Sequence, residues 1–320
     1  MDQRISAPLH IDFAITGRCQ LRCDYCSAMP LGQPDVPVAR AIEILKEMRD
    51  IGVFSLLLSG GEPTVHRDFL KIAAAASDAI PSLLINTNGL RLAKSAAAAE
   101  LRTAAPAAIV AISLDSPNLE SNDVSRGFGG EHAVQAIENC LREGIVVCIS
   151  AVLTEATVGS ATGLVDRFFP SVKKYRFFPR VLRSCADAQR NGNSYAEAVK
   201  SFYESLGRLA TRYPGVELLT PMGNSARYDL APEADMGQRC ICAQTRLYID
   251  SSLDVFPCYY AANDHNKLGS CVNKSLKEIW TSRVADSLRK RATHANLCGP
   301  TTSLQAIPAR YRSFNIERAV

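Results

Sequence analysis

From residue 10 to about residue 213, short apolar runs alternate with stretches of helical period. The runs HIDFAI (10–15), FSLLLSG (54–60), SLLINTNG (82–89), AIVAISLD (108–115), IVVCISAVL (145–153) and YRFFPRVL (175–182) have the length and side-chain types of buried strands. Between them Val38, Ile42, Leu45, Met48 and Ile51 recur at helical spacing, as do Ala133, Ile137 and Leu141. Six such repeats predict an α/β fold in which a parallel sheet curls into a partial (β/α)6 barrel of the TIM type. A further helix is expected over about 194–213.

Chemistry in such folds collects at the C-terminal ends of the strands. Here those ends carry SGGEP after the second strand, NTNG after the third and SLDS after the fourth. Alternation along the fourth strand puts Val110, Ile112 and Leu114 on one face, large enough to pack under helices. It puts Ala111, Ser113 and Asp115 on the other, small and increasingly polar toward the strand end. A barrel lined by the second set leaves room for a ligand at its top.

Composition narrows the class. Hydrophobic residues make up 47% of 320 positions, and the net charge is +4. Positive residues are dense only around Arg283 to Arg291, a solvated helix face, so no nucleic-acid partner is expected. No apolar run reaches the roughly 18 residues of a membrane span, and the N-terminal stretch MDQRISAPLHIDF has no signal-peptide core. A cytoplasmic protein without a membrane partner is therefore expected. Eleven cysteines in a reducing compartment point to metal or redox chemistry rather than disulfides.

The densest group is Cys19, Cys23 and Cys26, in a loop directly after the first strand. Their spacing differs from the paired C-x2-C knuckles of structural zinc, and no fourth ligand follows soon after. Three thiolates on a four-iron cube leave one iron open for a ligand that is not protein.

With CQLRCDYC, GGEP (60–63), NTNG and SLD in this order, residues 10 to about 182 resemble the radical S-adenosylmethionine superfamily. The resemblance implies a [4Fe-4S] cluster on the three cysteines and S-adenosylmethionine on the open iron. One electron from the cluster would then yield methionine and a 5′-deoxyadenosyl radical. It implies that Gly60, Gly61 and Glu62 approach the methionyl amino group, with Glu62 pairing to the ammonium. Tyr25 would lie near the adenine, and Asn88 and Asp115 would belong to the cofactor site. Ser113, Arg126 and Ser150 would reach the carboxylate or ribose.

A second group, Cys240, Cys242, Cys258 and Cys298, looks like the SPASM/Twitch extension of that superfamily. There a hairpin and helix hold an auxiliary iron–sulfur cluster, expected here to be a single [4Fe-4S] cluster. The implied organisation is a barrel over 1–220 and a small α+β extension over 235–320. Both Cys240 and Cys242 remain candidates for ligation. Leu253 stands where that family usually has glycine, which puts the hairpin turn in doubt.

Cys140 and Cys148 read as packing residues. Cys185 and Cys271 are expected in polar loops near the barrel mouth, where an uncoordinated thiol could donate a hydrogen atom to a substrate radical. The expected function is hydrogen abstraction from a carbon of a peptide substrate, as in ribosomal-peptide cross-linking or epimerisation. A flavodoxin or ferredoxin is the expected reductant. The rivals are a dehydrogenase of a small sugar or cyclitol, a GTP-cyclising enzyme of molybdenum-cofactor synthesis, and a zinc scaffold. The GTP-cyclising family ends in paired glycine, whereas this sequence ends NIERAV.

Overall fold

The computed structural model describes residues 5–26, 34–179, 185–219 and 243–292. The six expected strands are present as β1 (His10–Ala14), β2 (Ser55–Ser59), β3 (Ser82–Thr87), β4 (Ile109–Ser113), β5 (Val146–Leu153) and β6 (Lys174–Pro179). All pair in parallel in sequence order. The connecting helices are α1 (Val38–Ile51), α2 (Phe69–Ala79), α3 (Ser95–Ala104), α4 (Leu119–Arg126), α5 (Gly130–Arg142) and α6 (Gly163–Phe168). Helix α7 (Cys185–Arg212) leads to a seventh parallel strand, β7 (Glu217–Leu219), on β6.

Strand alternation decides where the core sits. Ile11, Phe13, Leu56, Leu58, Ile85, Val110, Ile112, Ile149, Tyr175 and Phe177 point outward and are buried with Ile44, Leu45, Met48, Ile72 and Ile137 of the helices. Each such side chain contributes roughly 1.5–3 kcal/mol on full burial. The opposite faces line the lumen and carry Asp12, Ala14, Ser113 and Ser150, none of them in that core cluster. Helix α1 stops because Gly52 takes a left-handed conformation, φ 87°, and its N–H caps the Arg49 carbonyl.

The C-terminal part is less separate than the sequence suggests. Strand β8 (Arg246–Ile249) pairs in parallel with β1 at its free edge, and β9 (Asp254–Phe256) and β10 (Gly269–Ser270) continue antiparallel. One ten-stranded sheet results, in the order β10-β9-β8-β1-β2-β3-β4-β5-β6-β7. Helix α8 (Leu276–Trp280), opened by a Ser275–Glu278 capping box, and α9 (Arg283–Ala292) close over it. Arg40 of α1 donates to the Cys271 carbonyl at 3.1 and 2.6 Å, and Glu47 accepts the Leu276 N–H at 2.8 Å. The expected boundary region around 220–235 lies outside the described residues.

Leu253 takes the left-handed conformation, φ 65°, that a glycine would adopt freely. The turn survives because Asp250 brackets it, its Oδ1 accepting the N–H groups of Ser252 at 2.9 Å and Asp254 at 2.8 Å. No helix among the described residues is long and apolar enough to cross a membrane.

Candidate functional site

The loop after β1 is tied down by backbone before any side chain acts. Gly61 N–H donates to the Thr16 carbonyl and Glu62 N–H to the Arg18 carbonyl, both at 2.8 Å. The glycines are needed for this approach, because a Cβ at Gly60 would press into the Thr16 carbonyl oxygen and one at Gly61 would sit 2.5 Å from that of Arg18. Their first task is therefore to seat the cysteine loop against the end of β2.

Glu62 departs from the simple expectation of an ammonium partner. It is 1% exposed and surrounded by donors. Its Oε1 accepts the Thr64 N–H at 3.1 Å, the Thr64 hydroxyl at 2.6 Å and the Thr87 hydroxyl at 2.7 Å, while Oε2 accepts the Asn88 N–H at 2.6 Å. Burial pushes the carboxyl up and these hydrogen bonds oppose it. The residue is a bracket between the ends of β2 and β3, with spare acceptor capacity on Oε2 alone.

The bracket places Asn88 over the cysteines. Its Nδ2 donates to Gln20 Oε1 at 3.2 Å and lies 3.9 Å from Cys19 Sγ, which also takes the Leu21 N–H at 3.4 Å. Across the loop, the Cys23 thiol lies 3.8 Å from the Arg126 carbonyl, and Asp24 N–H donates to Ser125. Cys26 is exposed, and Cys19 and Cys23 are half-buried.

Asp115 and Arg126 form the other wall. Asp115 is fully buried, and its Oδ1 lies 3.3 Å from Arg126 Nη1 and accepts the Val152 N–H at 3.0 Å. Its Oδ2 accepts the Tyr25 hydroxyl at 2.6 Å and the Ser125 hydroxyl at 3.1 Å. Burial alone would lower Arg126, but Asp115 and Tyr25 beside it raise it above its ordinary value, so it stays charged. Burial, reinforced by Asp115, raises the Tyr25 phenol. Tyr25 is thus held by an ion pair rather than loosely packed. Ser113 and Ser150 are register partners on the lumen face, each 9% exposed.

Cys19, Cys23, Cys26, Tyr25, Gly60, Gly61, Glu62, Asn88, Ser113, Asp115, Arg126 and Ser150 are therefore brought together at one end of the barrel. Cys271 is not. It is fully buried in the hydrophobic core, with its thiol pushed up to about 12 by burial. The polar loop around it hides a side chain that packs inward, which removes it as a donor at the barrel mouth. Cys185 is the first residue of α7 rather than a loop residue. Cys258 is buried just after β9, while Cys240, Cys242 and Cys298 lie outside the described residues. Ala243, the residue after Cys242, donates its N–H to the Pro257 carbonyl, next to Cys258.

Cys148 is buried, as its packing reading expects, on the same face of β5 as Ser150. Sequence reasoning missed Ser125, Asn122, Thr64 and Thr87, short polar residues whose roles exist only once distant loops meet.

The donor set fits an iron–sulfur cube. Burial pushes the Cys19 and Cys23 thiols up, and neighbouring negative groups add to this: Glu62 and Cys26 at Cys19, Cys26 and Asp115 at Cys23. Bound cations would reverse that. Among the described residues no three His, Cys, Asp or Glu side chains converge as ligands of one ion would. A cube does not require it, since each thiolate takes a different iron.

Comparison with known proteins agrees with this geometry. The family model of the Radical SAM superfamily matches residues 13–157, and that of the SPASM iron–sulfur cluster-binding domain matches residues 240–300. The chain is 32% identical to the AdoMet-dependent heme synthase of Methanosarcina barkeri, over 92% of this chain and 88% of that one. It is 26% identical to the mycofactocin maturase MftC of Mycobacterium tuberculosis, over 93% of this chain and 76% of the relative. In fold it resembles Streptococcus suis SuiB bound to its precursor peptide SuiA, with a TM-score of 0.73, 18% identity and coverage of 89% and 67%. AdoMet-bound anSMEcpe has a TM-score of 0.68, with 17% identity and coverage of 90% and 85%. The chain belongs to the radical SAM superfamily, in its SPASM subgroup, and is a radical S-adenosylmethionine enzyme carrying iron–sulfur clusters.

Proposed function

We propose that the chain modifies a ribosomally made peptide by abstracting a hydrogen atom from one of its carbons. The observation that carries the site is the joint seating of Cys19 and Cys23 by Asn88 and by the Arg126 carbonyl. The peptide substrate is supported by the likeness to a maturase across 93% of the chain. When bound, S-adenosylmethionine on the reduced cluster supplies a 5′-deoxyadenosyl radical.

The chain's own residues orient and enclose. Cys19, Cys23 and Cys26 would hold the cluster, which would leave a position for the cofactor. Glu62, through Oε2, and Asn88 border the methionyl end. The buried Arg126–Asp115 pair fixes Tyr25 beside the cysteines. Ser113 and Ser150 offer small hydroxyls toward the lumen. Cys258 is proposed as an auxiliary-cluster ligand with Cys298 and with Cys240, Cys242 or both. A flavodoxin or ferredoxin is the proposed reductant.

A second reading, action on a small molecule, is favoured by the 32% identity to a heme synthase. Anaerobic reconstitution with peptides encoded beside the gene, followed by mass spectrometry, decides between the two. A peptide product formed with 5′-deoxyadenosine supports the proposal. Cofactor cleavage with every such peptide unchanged would favour the small-molecule reading. Replacing Cys258 by Ala should remove the auxiliary cluster only; full iron content in that variant would exclude the residue as a ligand.

A further inference from the structure

The three clustered cysteines lie in one stretch whose two ends meet without them. Between Thr16 and Asp35 the chain carries Cys19, Cys23 and Cys26. At its start the hydroxyl of Thr16, a fully buried residue, donates to Asp35 Oδ1 at 2.7 Å and accepts the Arg18 N–H at 3.0 Å. The Arg18 guanidinium forks onto the same carboxylate, Nε to Oδ1 at 2.9 Å and Nη2 to Oδ2 at 2.6 Å. One residue beyond, Val36 N–H donates to the Ile15 carbonyl at 2.9 Å, and His66 Nε2 lies 2.9 Å from the Val36 carbonyl. Arg18 Nη2 also donates to the Val65 carbonyl at 3.0 Å, which ties this junction to the turn after Glu62.

An Arg–Asp pair of this exposure, 50% and 23% for the two side chains, ordinarily contributes little to a fold. This one differs in what it closes. Were the ends apart, bringing three thiols to one place would cost the closure entropy of the stretch between them. With the ends joined, only the short intervals between the cysteines remain to be ordered. The fork also restricts Arg18 itself, and Cys19 is the next residue.

We infer that Arg18 and Asp35 are positioning residues for the S-adenosylmethionine-binding cluster: their clasp joins the ends of the cysteine stretch and sets how firmly the cluster is retained. The inference rests on the assignment of that cluster to Cys19, Cys23 and Cys26 made above. It requires nothing of the substrate and holds for either reading of the reaction.

The test uses the full chain, reconstituted anaerobically, reduced with dithionite and mixed with bathophenanthroline disulfonate. Electron paramagnetic resonance with and without S-adenosylmethionine separates the two clusters, because a new ligand on one iron alters the signal of that cluster alone. D35A removes all three bonds to the carboxylate, and the cofactor-responsive signal should decay about tenfold faster than in the native chain. R18K keeps the charge without the fork and should decay about threefold faster. In R18A/D35A the acceleration should fall short of the product of the two single changes, the mark of a coupled pair. The unresponsive signal and the thermal midpoint should stay at their native values. Failure of D35A to take up the responsive cluster at a native midpoint supports the inference equally, and R18K then supplies the rate. Equal decay in the native chain and both single variants overturns it. So does faster decay of both signals together, or a lowered midpoint, because the pair would then serve the fold as a whole. A responsive signal that survives replacement of Cys19, Cys23 and Cys26 by Ala would sink the cluster assignment. Its loss there, with unchanged decay in D35A and R18K, would sink this inference alone.

Discussion

Glu62 Oε2 accepts the backbone N–H of Asn88 at 2.6 Å, and through this bond a carboxylate after β2 sets the residue that lies over Cys19. Glu62→Ala should therefore do more than weaken cofactor binding. It leaves the Thr64, Thr87 and Asn88 donors around Glu62 unsatisfied in a buried site, at a cost of at least about 3 kcal/mol. Both iron retention and S-adenosylmethionine affinity are expected to fall, as read by iron content and equilibrium binding. A variant with full iron and native melting would show that the bracket is dispensable.

Two four-iron clusters predict about eight irons per chain after anaerobic reconstitution. Replacing Cys19, Cys23 and Cys26 together by Ala should leave about half and abolish S-adenosylmethionine cleavage. Residual 5′-deoxyadenosine in the triple variant would refute the ligand assignment.

Asp115→Asn removes one charge of a buried pair and leaves Arg126 charged in the interior. The expected loss is about 3–5 kcal/mol, measured as a shift in the urea midpoint. Tyr25→Phe, which keeps the ion pair, should cost about 1 kcal/mol. Equal losses from the two would mean that the charge pair is not what organises this wall.

Leu253→Gly sets two effects against each other. Glycine relieves the left-handed backbone by about 1 kcal/mol. Leu253 is only 7% exposed, however, and losing a buried leucine side chain costs about 2–5 kcal/mol. The variant should be less stable by thermal melting, even though the backbone at this position suits glycine. A raised midpoint would show that strain outweighs packing.

Asp12 predicts an acid-side dependence. Burial raises its carboxyl, but Arg246 and His10 outweigh this and hold it below the ordinary value of 3.8. Below that value the unfolded chain binds more protons at this site than the folded one. The contribution of Asp12 is thus complete above about pH 4 and fades as pH falls through the folded value. Urea titrations between pH 5 and pH 3 should show a steeper loss for the native chain than for Asp12→Asn. Parallel curves would show that another group carries the acid response.

Local regularities in the chain already determined the barrel strands, the face each presents and the Cys19–Cys23–Cys26 loop at the top. Period-two alternation and close cysteine spacing are properties of neighbouring residues, so they can be read without the fold. Alternation also placed Ser113 and Ser150 inward. What only the tertiary structure decided are relations between residues far apart in sequence. Glu62 became a bracket because Thr87 and Asn88 come within hydrogen-bond reach of it. The C-terminal segment became part of the barrel sheet because β8 found the open edge of β1, a pairing between residues more than 230 positions apart. Cys271 turned from a loop thiol into a core residue because it packs into the buried hydrophobic cluster while its neighbours Val272, Asn273 and Lys274 stay exposed. Hydrogen bonding and burial act at distances of a few ångströms in space, and sequence order does not encode which distant groups will meet there.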